Sequence, residues 1–370
     1  MTYGRVIAAG VLFLNFLPVI ALADQTPSTQ KFGFHLTALY LQPSSNNLKY
    51  AVLVSGNQPY QQSWHNQSVN PDFSPAFDLG FNYIFPHSTY DVSLDWTHLN
   101  SNDSSSTQAS TSTAVATVEF VAPPYDVGPG VFGIKRGESS VNFNFNNVTL
   151  NLNKTYMYDS NLQIKLSAGI DVLRIKQNIN TTFSDYAGSP PISGQAYALP
   201  ADPNFYFETE NASKYLGIGP DVGASFAWDI MNGFGFAGDF LGTLTAGSMQ
   251  AQDNFISNST RLIALGISPS TQEITAPTTT QVVPGFDARL SAFYKHAWRN
   301  SFDVKFELGY RFAYYVNAIS EISPDTLVQA GIDEVIPEFA TGTMAINSTT
   351  SSSNPFSMQG PYISLVVDVL

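Results

Sequence analysis

The sequence predicts an all-β chain: a transmembrane antiparallel up-and-down β-barrel of about ten strands, with twelve the next count. Three observations predict it. Runs of about 9–17 residues alternate apolar and polar side chains with period two. Soluble strands commonly last about 5–6 residues, whereas a tilted membrane strand needs about 9–11. The apolar face tends to begin and end in aromatics, as rings seated at two membrane interfaces do. Connections alternate between short turns and long polar stretches, the pattern of short periplasmic turns and long extracellular loops.

Composition agrees. Of 370 residues only 12% are charged and 13% are aromatic, a poorly charged surface for a protein in water. The formal net charge of −13 argues against a nucleic-acid partner, which wants a basic patch. With no cysteine, neither a disulfide nor a thiolate metal site is possible.

At the N-terminus, Arg5 is followed by the apolar run 6–23, which ends in the small-x-small triplet Ala21-Leu22-Ala23. Residues 1–23 read as a secretory signal peptide, with Asp24 opening the mature chain and 24–370 forming one barrel domain. No later run approaches the ~18–20 apolar residues of a spanning helix. A barrel is the remaining way for the exported chain to cross a membrane.

Strands are predicted at 32–42, 76–85, 89–99, 139–153, 161–179, 214–230, 234–247, 284–296, 302–318 and 361–370. In 302–316, Phe302, Val304, Phe306, Leu308, Tyr310, Phe312, Tyr314 and Val316 share one face, and Asp303, Lys305, Glu307 and Arg311 share the other. FDLGFNYIF (77–85), YDVSLDWTHL (90–99), NLQIKLSAGIDV (161–172), YLGIGPDVGASFAWDI (215–230) and FDARLSAFYKHAW (286–298) repeat the theme. VNFNFNNVTLNL (141–152) changes phase: Val141, Phe143 and Phe145 are odd-numbered, but Val148, Leu150 and Leu152 are even. A β-bulge at Asn146–Asn147 accounts for the change. In the last strand Ile363, Leu365, Val367 and Val369 form the greasier face, and the chain ends on Leu370 rather than on an aromatic, which leaves the pairing with the first strand open.

Long polar loops are expected at 43–75, 100–137, 180–213, 248–283 and 319–357, and the region 114–135 has room for a further hairpin. Phe205, Tyr206 and Phe207 are aromatics within a loop, suited to packing a cap or meeting a partner. The acidic loop residues Asp253 and Asp333-Glu334 are of the kind that binds Ca²⁺ or bridges to lipopolysaccharide, although most such residues are solvated.

The predicted inward set is Asp78, Asp91, Asp95, Lys165, Asp171, Asp221, Asp229, Asp239, Asp287, Arg289, Lys295, Asp303, Lys305, Glu307 and Arg311, ten acids and five bases. These are the candidate pore-lining residues, and the excess of acid favours cations. Catalytic chemistry is not expected. Asp95 and His98 stand three apart in a strand and so face opposite ways, and no motif supplies a triad. The five histidines lack metal-ligand spacing, and GIGPDVG (217–223) lacks the strand-to-helix setting of a nucleotide fingerprint. No cofactor and no metal is called for.

The stretches WHNQSVNPDFSPAFDLGFNYIFPHSTYDVSLDWTHL (64–99), GPGVFGIK (128–135) with FNNVTLNLNKTYMY (145–158), and YLGIGPDVGASFAWDIMNGFGFAGDFLGTLTAG (215–247) resemble the major outer membrane protein family of Legionella. The resemblance implies a Gram-negative outer membrane and a diffusion-pore role. Some members carry cysteines that can cross-link them, and this chain has none, so disulfide-linked assembly is not carried over.

The expected function is a porin-like barrel passing small solutes or ions with a mild cation preference. The alternative is a surface-exposed adhesion or host-binding barrel with a largely plugged lumen. Expected partners are outer-membrane lipid and lipopolysaccharide, the barrel assembly machinery, small solutes and a second copy in a homo-oligomer, with no nucleic acid.

Overall fold

A computed structural model describes residues 31–57, 61–110, 118–127, 134–186, 201–258, 270–298, 302–330 and 343–369. The signal segment 1–23 and the acidic pair Asp333-Glu334 lie outside these residues.

Ten strands close a ring: β1 (Lys31–Ser45), β4 (Ser74–Ile84), β5 (Tyr90–Gln108), β8 (Ile134–Asp159), β9 (Leu162–Tyr186), β10 (Asp202–Met231), β11 (Phe234–Asn258), β13 (Thr279–Trp298), β14 (Phe302–Ala330) and β15 (Thr343–Val369). Each pairs antiparallel with its neighbour in the chain, and β15 returns to β1 with Phe32 opposite Val369. Closure satisfies the backbone hydrogen bonds that an open edge would leave bare to lipid. All ten predicted strands are present, and the register of the last, left open by its sequence, is fixed by pairing on both sides. Ile363 points outward, 57% exposed, and Ser364 inward, 4% exposed. Asp368 shares the inward face and lines the lumen.

Five shorter strands stand apart from the ring. β2 (Lys49–Asn57), β3 (Gln61–Ser68) and β6 (Val118–Ala122) make a small separate sheet, β7 (Asp126–Val127) pairs with β14, and β12 (Ser270–Thr275) continues beside β11 above β13. The described residues of 114–135 thus supply β6, β7 and the start of β8 rather than a barrel hairpin.

The short turns use left-handed backbone. Asn232 (φ 50°) and Gly233 (φ 85°) join β10 to β11, a pair of positive φ angles suited to a two-residue hairpin.

Two expectations are corrected. The long loops are mostly wall, because β8, β9, β10, β11, β14 and β15 run for 25 to 30 residues, far past a bilayer. β8 carries no bulge at Asn146–Asn147, since its register is continuous against β5 from Arg136 to Lys154. An irregularity of that kind lies in β14, where Asn317 (φ 55°) sits inside the shift between Tyr315 and Ile319.

The phase change in β8 has another cause: odd-numbered residues face inward along its length, but the chemistry inverts. Val148, Leu150 and Leu152 point out to lipid over inward Asn147, Thr149, Asn151 and Asn153, whereas higher up Val141, Phe143 and Phe145 point in and are fully buried. β9 does the same, with Leu173, Ile175 and Phe183 buried inside above Asp171. On β14 the lipid face runs from Phe302 to Val316. At about 3.3 Å per residue and about 40° of tilt this spans ~35 Å, a hydrocarbon core with part of both interfaces.

Candidate functional site

The lumen holds the charged residues. By strand parity all fifteen members of the predicted inward set lie on the inner face, opposite the exposed lipid-facing rows. They do not form one group. Asp229 and Lys295 pair at the short-turn rim, Lys305 and Glu307 pair at 2.7 Å, and Asp91 meets Lys165 at 3.5 Å while accepting from Asn153 at 2.7 Å. Asp95, Asp239, Lys165 and Lys305 border a polar cavity of about 300 Å³ in the half near the short turns. Asp303 lies beside Lys305 on the same face of β14.

Deeper in, Asp78, Asp287, Arg289 and Arg311 come together from β4, β13 and β14. Arg311 forks onto Asp287, with Nη2 donating to Oδ2 at 2.5 Å and Nε to Oδ1 at 3.2 Å, and Nη1 donates to Thr97 on β5. Arg289 Nη2 donates to Asp78 Oδ2 at 2.6 Å, and Thr97 Oγ1 donates to the same oxygen at 2.9 Å. Arg311 is 1% exposed and Asp78 0%. Charges this deep are tolerated because each has an opposite charge and a near-complete set of hydrogen bonds.

Sequence reasoning missed His35, whose Nε2 lies 2.9 Å from Asp78 and 3.4 Å from Asp95. It stands directly across from Gly80, and a Cβ there would lie 2.0 Å from His35 Cε1 and 2.5 Å from Asp95 Oδ1, so the missing side chain makes room for the trio. Spacing along the chain gave no metal-ligand signal, yet the ring pairing brings one ligand atom each from His35, Asp78 and Asp95 within 4.8 Å of one another. With Arg289 2.6 Å from Asp78, that carboxylate already has its cation, and the trio reads as an ion-pair network. Asp95 and His98 do face opposite ways, His98 contacting Asn146 on the outer face.

Acids outnumber partners on the far side of this belt of charge around Asp78, Asp287, Arg289 and Arg311. Asn147 donates to Asp171 Oδ1, while Asp171 Oδ2 and both oxygens of Asp221 are buried with no hydrogen-bond partner among the described residues.

Above the belt the lumen turns apolar. Phe145 on β8 meets Tyr315 on β14 with ring centroids 5.6 Å apart, and Phe356 on β15 stacks against Phe145, also at 5.6 Å. β8 and β14 are five places apart in a ring of ten, so the Phe145–Tyr315 contact crosses the full diameter. Leu41, Leu99, Leu173, Ile175 and Phe143 fill the space around it. Higher still, in the collar of wall that rises above the membrane, Phe183 stacks on Phe207 and Phe255 packs against Phe207 at a tilt. Phe205 and Phe207, placed in a loop by the sequence, are buried strand residues of β10.

The match to known families decides what kind of barrel this is. Residues 25–369 match the family of the Legionella pneumophila major outer membrane protein precursor. The chain belongs to this family. It is therefore a bacterial outer-membrane protein, and the lipid-facing aromatic rows have their solvent. A search of curated proteins returned no match. Among solved structures, the outer membrane protease OmpT of Escherichia coli is similar with 9% identity and a TM-score of 0.41, covering 94% of this chain and 98% of that one. The Pseudomonas putida toluene transporter TodX has 8% identity and a TM-score of 0.34, covering 92% and 90%. A Pseudomonas aeruginosa FadL homologue has 9% identity and a TM-score of 0.26, covering 92% and 90%. At these scores the likenesses do not extend to the chemistry of the lumen.

Proposed function

We propose that this outer-membrane protein is a narrow channel of low conductance for small ions or solutes, with a mild preference for cations. The observation that carries the reading is the inward set itself: ten acids and five bases on the inner face of the barrel, eight of them bordering a polar cavity large enough to hold water. An excess of fixed negative charge in a low-dielectric tube raises the local cation concentration. In this reading the Phe145–Tyr315–Phe356 contact is the closed gate, and conduction needs those rings to part. Residues 1–23 direct export and are removed. The apolar rows meet lipid and lipopolysaccharide, and the barrel assembly machinery inserts the chain. Any homo-oligomer pairs these lipid-facing rows.

The diameter-wide contact favours a second reading, a surface-binding barrel whose lumen never opens and whose collar presents the β2–β3–β6 sheet. Planar bilayers separate the two. The first reading expects small unitary steps and a reversal potential in a salt gradient that indicates cation preference, reduced when Asp303 and Glu307 are neutralised together. An unchanged reversal potential with conductance intact removes those two residues from the path. Absence of any conductance in the purified protein gives the case to surface binding.

A further inference from the structure

Above the membrane, in the collar, a second cavity of about 230 Å³ is lined by Asn47, Tyr125, Asn211, Asp253 and Glu321 among others. Asp253 on β11 is fully buried, and neither of its carboxylate oxygens has a hydrogen-bond partner among the described residues. Asn211 stands directly opposite in the β10–β11 register. Its Nδ2 donates to the Ile322 carbonyl, while its Oδ1 is likewise buried and unpartnered. Glu321 enters from β14, and one of its oxygens accepts from Asn354 Nδ2 at 3.2 Å. A buried carboxylate with no donor is stable only with a cation or a proton on it.

We propose that Asp253, Glu321 and the Asn211 side-chain oxygen form a divalent-cation site of the calcium type in the outer collar. The donors are all hard oxygens, two carboxylates and an amide carbonyl, which is the set Ca²⁺ takes. Their strands, β10, β11 and β14, belong to one side of the ring, so the ion would tie that side together. The charge balance favours it: Glu210 lies on the neighbouring outer face, and Lys49 is the one basic group lining the cavity, beside the neutral phenols of Tyr50 and Tyr125.

Protons compete for the site. Burial, with Glu321 and Glu210 nearby, pushes the Asp253 carboxyl up to about 7. The folded state therefore holds this proton more tightly than the unfolded chain does. Without calcium, the contribution of this proton to stability fades as pH rises from about 4 through 7. Calcium offsets that loss, so its effect grows over the same range.

The test uses the full mature chain, refolded in detergent and heated with either CaCl₂ or EDTA at pH 6 and pH 8. Calcium should raise the melting temperature, more at pH 8 than at pH 6. Asp253→Asn should melt at one temperature with or without calcium, whereas Glu208→Gln, on the outer face, should keep the full response. Glu321→Gln leaves Asp253 in place and should weaken calcium binding by at least tenfold, which carries the test if Asp253→Asn does not refold. A wild type indifferent to calcium overturns the site. So does an undiminished response in Asp253→Asn or an unchanged affinity in Glu321→Gln. Loss of the response in Asp221→Asn instead would move calcium to the unpartnered carboxylates of the lumen and overturn it equally.

Discussion

The membrane-spanning half of the wall and the collar above it share strands, register and hydrogen-bond ladder, yet their polarity is reversed. In β8 the outward row passes from Leu152, Leu150 and Val148 to Asn146, Asn144 and Asn142 without a break in pairing, while the inward row passes from asparagine and threonine to phenylalanine. The backbone is indifferent to this change because the ladder satisfies it in either solvent. The side chains are not indifferent. Beside lipid, apolar groups gain little from turning inward, so the interior is free to hold charges in pairs. Beside water, burial of each phenylalanine stabilises by about 1.5–3 kcal/mol, and the interior becomes a soluble-type core. On the collar's outer face, pairs such as Asn180 Nδ2 donating to Glu208 at 2.7 Å replace the aromatic girdle.

Mutations in the two regions should therefore fail for different reasons. The largest effects are expected inside. Phe145→Ala, at a fully buried position, should cost about 3–5 kcal/mol in unfolding free energy, and single-channel recording should show larger unitary steps where the diameter-wide contact is lost. A destabilised protein with unchanged conductance would make the rings pure core. Arg311→Ala should cost a similar amount, about 3–5 kcal/mol, by stranding Asp287. Adding Asp287→Asn should recover part of it, and a double mutant as unstable as the single would mean the pair is not the source.

Next in size is Leu308→Arg, a charge on the lipid face, at about 2–4 kcal/mol, read as loss of the heat-modifiable band on gels. The matched change Asn144→Arg, on the same wall but above the bilayer, should fall within about 0.5 kcal/mol. Equal effects would erase the boundary between the halves. Glu208→Gln on the collar exterior should be equally mild, within about 0.5 kcal/mol by denaturant titration.

The membrane half was largely legible in the chain. Alternation with a lipid face is a signal of constant sign, and it placed ten strands and the inner face of fifteen charged residues. The collar was not, because inversion cancels that signal: Asn142–Phe143–Asn144–Phe145 alternates as well as Leu150–Asn151–Leu152, but in opposite phase. Taken in β8 alone, the switch looks like an inserted residue. The same switch recurs in β9 between Val172 and Leu173 and in β10 between Leu216 and Tyr215, and these positions align, Asn147 opposite Leu173 and Leu173 opposite Gly217. A phase change at one height in three adjacent strands is a change of solvent, not three bulges. The Asp78 cluster was half legible. Parity placed its carboxylate and guanidinium groups inside, but contacts four places apart around the ring, such as Arg289 on β13 with Asp78 on β4, have no trace in local sequence. His35 was hidden in the same way, since only the pairing of β1 with β4 shows that Gly80 leaves room for it.

The contacts that cross the lumen also have a mechanical meaning. A barrel wall is a thin hoop, and a hoop of ten strands flattens easily under uneven side pressure. Arg289 to Asp78, Arg311 to Thr97 and Phe145 to Tyr315 join walls four or five strands apart, and they act as spokes at successive heights. A spoked wheel keeps its cross-section circular when squeezed. Lateral stress from a crowded or stretched outer membrane would then load these few side chains first, not the many hydrogen bonds of the rim.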